Sequence, residues 1–212
     1  MDKTTILNYK IAFRLAILTI GISILEGGFS VYFGSNSYNL TLFGFGIDSF
    51  IEVISGLGIA HMVLRIQQQP DSNRDKFEKT ALRITGLSFY ILAVGLVITS
   101  IYGLFTGHKP ESGLSGIVVA FFSILLMTIL IYGKKYVGKI LQSKAILADA
   151  QCTLVCVYMS IIVLLSSGIY ELTKFPFIDS IGTLGVAYLS YKEGKECFEK
   201  SSSNKDCGCE KC

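Results

Sequence analysis

Long uncharged runs alternate with short clusters of basic residues along this chain. No charged residue lies in the 24 positions between Arg83 and His108, the 22 between Glu111 and Lys134, or the 21 between Asp149 and Glu171. Each run is long enough for a helix to cross a hydrocarbon core of about 30 Å. Reading apolar runs against charged breaks predicts six helices, at roughly 11–33, 39–63, 81–106, 113–133, 146–168 and 177–192. Pro70, Pro110 and Pro176 fall between these segments, where a missing backbone N–H interrupts no helix. Tyr32, Tyr38, Tyr102, Tyr132, Tyr170 and Tyr191 sit near span ends, as an interfacial aromatic belt requires.

Composition agrees with the pattern. Of the 212 residues 51% are hydrophobic and only 17% charged, and Trp is absent while Phe occurs 14 times. A soluble domain carries roughly a quarter charged residues, so a soluble enzyme, a nucleic-acid binder and a disulfide-stapled secreted module are all excluded. The predicted fold class is all-α, a polytopic membrane protein with six transmembrane helices. Seventeen of the 19 Lys and Arg residues fall on one side of the predicted spans; only Lys109 and Lys174 fall on the other. The positive-inside rule then makes both termini cytoplasmic. This asymmetry accounts for the net charge of +3 without a nucleic-acid partner. The first span has basic flanks but no small-x-small cleavage site after it, so it reads as a retained helix. Residues 1–192 form the transmembrane domain, 64–79 a mixed-charge cytoplasmic loop, and 193–212 a short Cys-containing cytoplasmic tail. Compactness and the lack of targeting signals point to a bacterial cytoplasmic membrane.

Chemistry enters with the charges inside the spans. Glu26, Asp48, Glu52, Asp149 and Asp179 lie within or at the edge of predicted helices. A carboxylate at mid-bilayer costs about 2.5–3.5 kcal/mol even on the lenient insertion scale, so such residues face the bundle interior by default. Asp179 reads as a solvated helix-start residue. Asp48 and Glu52, four apart in GFGIDSFIEVISGLG, stack on one helical face. Two such carboxylates repel unless a proton, a Lys or Arg from another span, or a metal cation intervenes. Arg14 and Arg83, near cytoplasmic ends, are poor partners. In ILADAQCTLVCVYMS of the fifth span, Cys152 and Cys156 are again four apart, with Asp149 one turn earlier on nearly the same side. Two cysteines this placed also fit small apolar core residues; a disulfide is disfavoured by the compartment and strained at this spacing.

The second and fifth spans run in opposite directions, which brings Asp48 level with about Cys156 and Glu52 level with about Cys152. Two carboxylates and two thiols at one depth make a four-ligand cage for a borderline-soft dication, with Asp149 guiding the ion from the cytoplasmic side. When the ion leaves, that much charge cannot remain uncompensated in lipid, so protons must replace it. The metal is thus a transported substrate, and no prosthetic group is called for.

These residues resemble the cation diffusion facilitator family of divalent metal/proton antiporters, over roughly residues 10–192 and most strongly in FGFGIDSFIEVISG and ILADAQCTLVCVYMS. The resemblance implies six spans with both termini cytoplasmic, a metal site on the second and fifth helices, and a homodimer that exports Zn²⁺ or related ions against protons. Asp48 and Glu52 match the family's second-helix acidic pair; Cys152 and Cys156 stand where the family usually has His and Asp. Thiolates favour Zn²⁺, Cd²⁺ or a softer ion over iron, manganese and cobalt. The chain reads as a short form without the family's C-terminal cytoplasmic domain, so a dimer would form through transmembrane helices. Gly21, Gly27, Gly28, Gly44, Gly46, Gly56 and Gly58 offer close approach for it. Cys207, Cys209 and Cys212 form a C-x-C-x-x-C cluster suited to a second, metal-collecting site in the tail. His61 near a cytoplasmic helix end reads either as an amphipathic interface residue or as an aid to ion entry, and Glu26 either as a proton relay or as a hydrogen-bond partner. Two rival functions remain open: a non-transporting membrane metal sensor or buffer acting through the Cys tail, and a membrane thiol oxidoreductase. No quinone, haem or flavin feature supports the second.

Overall fold

The computed structural model describes residues 3–36, 40–68, 74–106, 114–173 and 178–202. They form six α-helices: α1 (Lys3–Asn36), α2 (Leu40–Gln68), α3 (Arg74–Thr106), α4 (Leu114–Ile140), α5 (Lys144–Thr173) and α6 (Ile178–Ser202). The described residues contain no strand. Five helices, α1 to α5, are long and apolar enough to cross a membrane. The three prolines lie outside the described residues, as do Lys109 and Lys174.

Each helix overruns its predicted span, mostly at the basic side. Within the 64–79 stretch predicted as a loop, the described residues 64–68 and 74–79 are helical, and α6 continues to Ser202. Helical hydrogen bonds close within the segment, so a helix leaving the bilayer loses nothing by continuing into water. Between α4 and α5 the chain turns in three residues. Ser143 N–H donates to the Gly138 carbonyl (3.0 Å) and Gln142 N–H to the Lys139 carbonyl (3.2 Å), with Gln142 left-handed at φ 47°. This is a Schellman end to α4. Ser143 then caps α5: its hydroxyl accepts from Ile146 N–H at 3.4 Å. Glu78 of α3 reinforces the cap, its Oε1 accepting from the Ser143 hydroxyl (2.9 Å) and from Ala145 N–H (3.2 Å).

The helices pair antiparallel. Gly27 and Gly46 lie at the α1–α2 crossing, where a Cβ on Gly46 would stand 2.7 Å from Val31 Cγ2 and 3.1 Å from the Gly27 carbonyl. α3 meets α6 through Phe89, Tyr90 and Phe198, with the Tyr90 and Phe198 rings stacked at 5.4 Å. α1 also meets α4, at Leu15 and Gly133. Because consecutive helices alternate in direction, the described start of α1 and the described end of α6 lie on the same side.

Solvation is inverted relative to a water-soluble core. Leu25, Phe29, Ile98, Phe121, Ile129 and Leu165 face outward, whereas Ser23, Asp48, Ser49, Glu52, Lys134 and Asp149 are buried. Hydrocarbon solvates the first group at no cost, and only the bundle interior offers partners to the second. The chain is an integral, polytopic, all-α membrane protein.

Candidate metal centre

The polar residues of the interior form a column along the facing sides of α1, α2, α4 and α5. One end of the column is an ion pair. Lys134 Nζ of α4 lies 2.8 Å from Asp149 Oδ2 of α5, with side chains 2% and 1% exposed. The same ammonium donates to Thr153 Oγ1 at 2.7 Å. Asp149 Oδ1 accepts from Ser55 of α2 at 3.0 Å, and Ser55 shares a hydrogen bond with Thr85 of α3. Four helices are thereby joined by one fully partnered network, of the kind that breaks as a unit.

Deeper in the bundle the partners run out. Glu52 Oε2 accepts from Ser23 of α1 at 2.9 Å and from the Cys156 thiol of α5 at 3.4 Å. Glu52 Oε1 has no partner, and neither has either oxygen of Asp48. Asp48, Glu52 and Cys156 are wholly buried and Cys152 nearly so. Cys156 lies beside Asp48 as well, and Cys152, one turn nearer the Lys134–Asp149 pair, is within the field of Glu52, Asp149 and Lys134. Both cysteines are free thiols. The structure therefore gathers Asp48, Glu52, Cys152 and Cys156 in one region between α2 and α5, with Glu52 facing Cys156 rather than Cys152. Among the described residues, no three His, Cys, Asp or Glu side chains converge as a ready-made cage in this conformation.

Asp149 stands at the edge of this region, held by Lys134 and Ser55. His61 is exposed on α2, where it accepts from Arg65 Nε at 3.5 Å, apart from the cluster. Cys207, Cys209 and Cys212 lie outside the described residues, as does the Asp179 side chain. Gly27 and Gly46, two of the glycines read as possible dimer contacts, are committed to the α1–α2 crossing, whereas Gly21 and Gly28 face open space.

Two participants are not evident from span assignment. Lys134 counts there as one of the cytoplasmic basic residues, yet it is 2% exposed inside the bundle. Its position just past an uncharged run, opposite an acidic residue at the start of the next helix, is the signal that could have found it. Ser23 follows from a period: Thr19, Ser23, Glu26 and Ser30 are spaced four, three and four apart, and all four are buried.

The donor set suits a divalent cation. Oxygens without hydrogen-bond donors and neutral thiols, packed in a membrane interior, are acceptors that a metal would satisfy. Comparison with known proteins points the same way. A family model for the cation efflux transmembrane domain matches residues 12–204. Transmembrane protein 163 of Xenopus laevis is 28% identical over 188 residues, covering 87% of this chain. The chain spans 62% of that relative's length. With the match extending from within α1 to beyond the end of α6, the chain belongs to the cation efflux family.

Proposed function

We propose that the protein is a secondary transporter that exports divalent heavy-metal cations, Zn²⁺ or Cd²⁺, from the cytoplasm in exchange for protons. The observation that carries this reading is the group of buried carboxylate oxygens without partners on Asp48 and Glu52, facing the α5 thiols. A buried anion without a donor is costly, and the cost falls away when a dication or a proton occupies it. Alternate occupation by metal and by protons is the chemistry of exchange, and it requires no catalytic residue.

In this scheme Asp48, Glu52, Cys152 and Cys156 hold the ion, and Asp149 marks its entry from the cytoplasmic side. Binding displaces the thiol protons, and release returns protons to the same groups. The helices move around the central site to expose it to each side in turn. The thiols set a preference for Zn²⁺ and Cd²⁺ over harder ions. The tail cysteines Cys207, Cys209 and Cys212 would collect metal near the entrance. A homodimer would pack through the outward face of α1 that carries Gly21 and Gly28, and the membrane would be the bacterial cytoplasmic membrane.

Metal flux into proteoliposomes under an imposed pH gradient tests the proposal. Gradient-driven Zn²⁺ or Cd²⁺ uptake that disappears in Asp48→Ala is expected. Folded protein that moves no divalent ion under any gradient would overturn it.

A further inference from the structure

The interior holds a further acidic side chain, besides Asp149, that the four-residue centre does not use. Glu26 of α1 is 9% exposed, and neither of its oxygens has a hydrogen-bond partner. It lies within the field of both Asp48 and Glu52, with Ser123 of α4 and Ser49 of α2 beside it. The α1–α2 crossing sets this depth. Gly27, the next residue on α1, abuts the Gly46 carbonyl and the Phe50 ring, so Glu26 stands level with the Asp48–Glu52 turn of α2.

What surrounds Glu26 is chiefly acceptor. The Ser49 hydroxyl proton is directed to the Phe45 carbonyl at 3.1 Å, which leaves only its lone pairs for Glu26. Ser123 Oγ accepts from the Ser160 hydroxyl at 2.8 Å, which leaves the Ser123 proton as the one hydroxyl proton beside Glu26. Asp48 also has two oxygens without donors. Four acidic oxygens on two adjacent helices, all buried and none in a formed hydrogen bond, need a cation between them if they are charged, since a thiol and one serine proton cannot offset two carboxylates. Cys156 of α5 lies beside Asp48, whereas the neighbours of Glu26 itself are the hydroxyls of Ser123 and Ser49.

We propose that Glu26 and Asp48, with the hydroxyls of Ser49 and Ser123, form an oxygen-only subsite for a divalent cation beside the sulfur-containing one. The subsite deepens the transport reading above and rests on it for the role of Asp48. Its chemistry selects differently from its neighbour: carboxylate and hydroxyl oxygens suit a hard ion such as Mn²⁺, thiolates a soft ion such as Cd²⁺. The two share Asp48, so an ion can pass between them without crossing bare hydrocarbon.

Equilibrium binding to the purified full-length chain tests this, with Mn²⁺ followed by electron paramagnetic resonance and Cd²⁺ by its thiolate charge-transfer absorption. Both use a background carrying Cys207→Ser, Cys209→Ser and Cys212→Ser, which removes the tail thiols. Glu26→Gln is expected to weaken Mn²⁺ at least tenfold and leave Cd²⁺ within twofold, so that Cd²⁺ binding reports that the variant is folded. Cys152→Ser with Cys156→Ser should do the reverse. Glu26→Asp, which keeps the carboxylate, should recover part of the Mn²⁺ affinity. Mn²⁺ binding unchanged in Glu26→Gln, loss of both ions together in that variant, or no Mn²⁺ binding by the folded parent would each overturn the subsite. If any of these occurs while proteoliposome flux stays sensitive to Asp48→Ala, the subsite alone fails; absence of flux removes the transport reading itself.

Discussion

Lys134→Met deletes the charge that holds one end of the polar column together. In the parent chain the ammonium stands 2.8 Å from Asp149 Oδ2 and 2.7 Å from Thr153 Oγ1, with almost no exposure on either member of the pair. Methionine matches the length of the side chain, so the perturbation is electrostatic rather than a cavity. It leaves Asp149 with Ser55 as its remaining donor. Removing one partner of a buried ion pair costs about 3–5 kcal/mol, chiefly for the uncompensated charge left behind. Against a total stability on the order of 5–15 kcal/mol, that is a large loss. Adding Asp149→Asn removes the stranded charge while keeping an oxygen for Ser55, so the double variant should regain about 2 kcal/mol over Lys134→Met alone. Equilibrium unfolding in mixed micelles, followed by circular dichroism, measures both steps. The reasoning fails if Lys134→Met unfolds within about 0.5 kcal/mol of the parent, below the range for breaking a buried pair. It fails equally if the double variant is no more stable than the single one.

Three further outcomes follow from other parts of the bundle. Gly46→Ala would place a Cβ 2.7 Å from Val31 Cγ2 and 2.9 Å from Val31 N, so it should cost about 1–3 kcal/mol in the same unfolding assay. Gly95→Ala, with nothing within 4 Å, should be near neutral there. Glu78→Ala removes the acceptor for the Ser143 hydroxyl and Ala145 N–H and should cost about 1 kcal/mol, with faster hydrogen exchange confined to the first turn of α5. Burial pushes the Cys197 thiol, on the part of α6 beyond the predicted span, from 9.0 to about 12; Glu193 and Glu196 add to the shift and Lys200 opposes it. Since the thiolate is the nucleophile, alkylation of Cys197 near pH 8 should run roughly a thousandfold slower than for an unperturbed thiol and rise about tenfold per pH unit, read by peptide-resolved mass spectrometry.

The helices and the acidic pair were legible in the sequence because lipid makes their signals strong. A charge-free run of 22 residues has few other readings, and an intramembrane carboxylate is rare enough for Asp48 and Glu52 to stand out singly. Cys152 and Cys156 stood out only once matched in depth to that pair, and the depth estimate was accurate to about one turn: Glu52 meets Cys156. Lys134 was harder, because counting basic residues assigns each one to a side and says nothing of its depth. The helices overrun their spans, so a lysine at the end of an uncharged run can still lie inside the bundle. The hydroxyls were hardest. Serine and threonine are common in membrane helices; Ser23 is marked by its period with Thr19, Glu26 and Ser30, but Ser49 or Ser55 differs from its neighbours only after the helices are packed.

The place of Glu26 depends on packing in the same way, and it ties the fold to the chemistry. A carboxylate on α1 can share a cation with one on α2 only if the two backbones approach closely, and the crossing of Gly27 with Gly46 permits that approach. The glycines that looked available for a second copy of the chain thus set the register between the first two helices. That register carries Ser23 to Glu52 at 2.9 Å and sets Glu26 level with the turn between Asp48 and Glu52. Widening the crossing should therefore weaken Mn²⁺ binding as well as stability. Gly46→Ala tests this with the paramagnetic resonance titration: a shift in Mn²⁺ affinity at least as large as in Glu26→Asp is expected. Parent-like Mn²⁺ binding in a folded Gly46→Ala protein would show that the spacing of α1 and α2 does not govern the site.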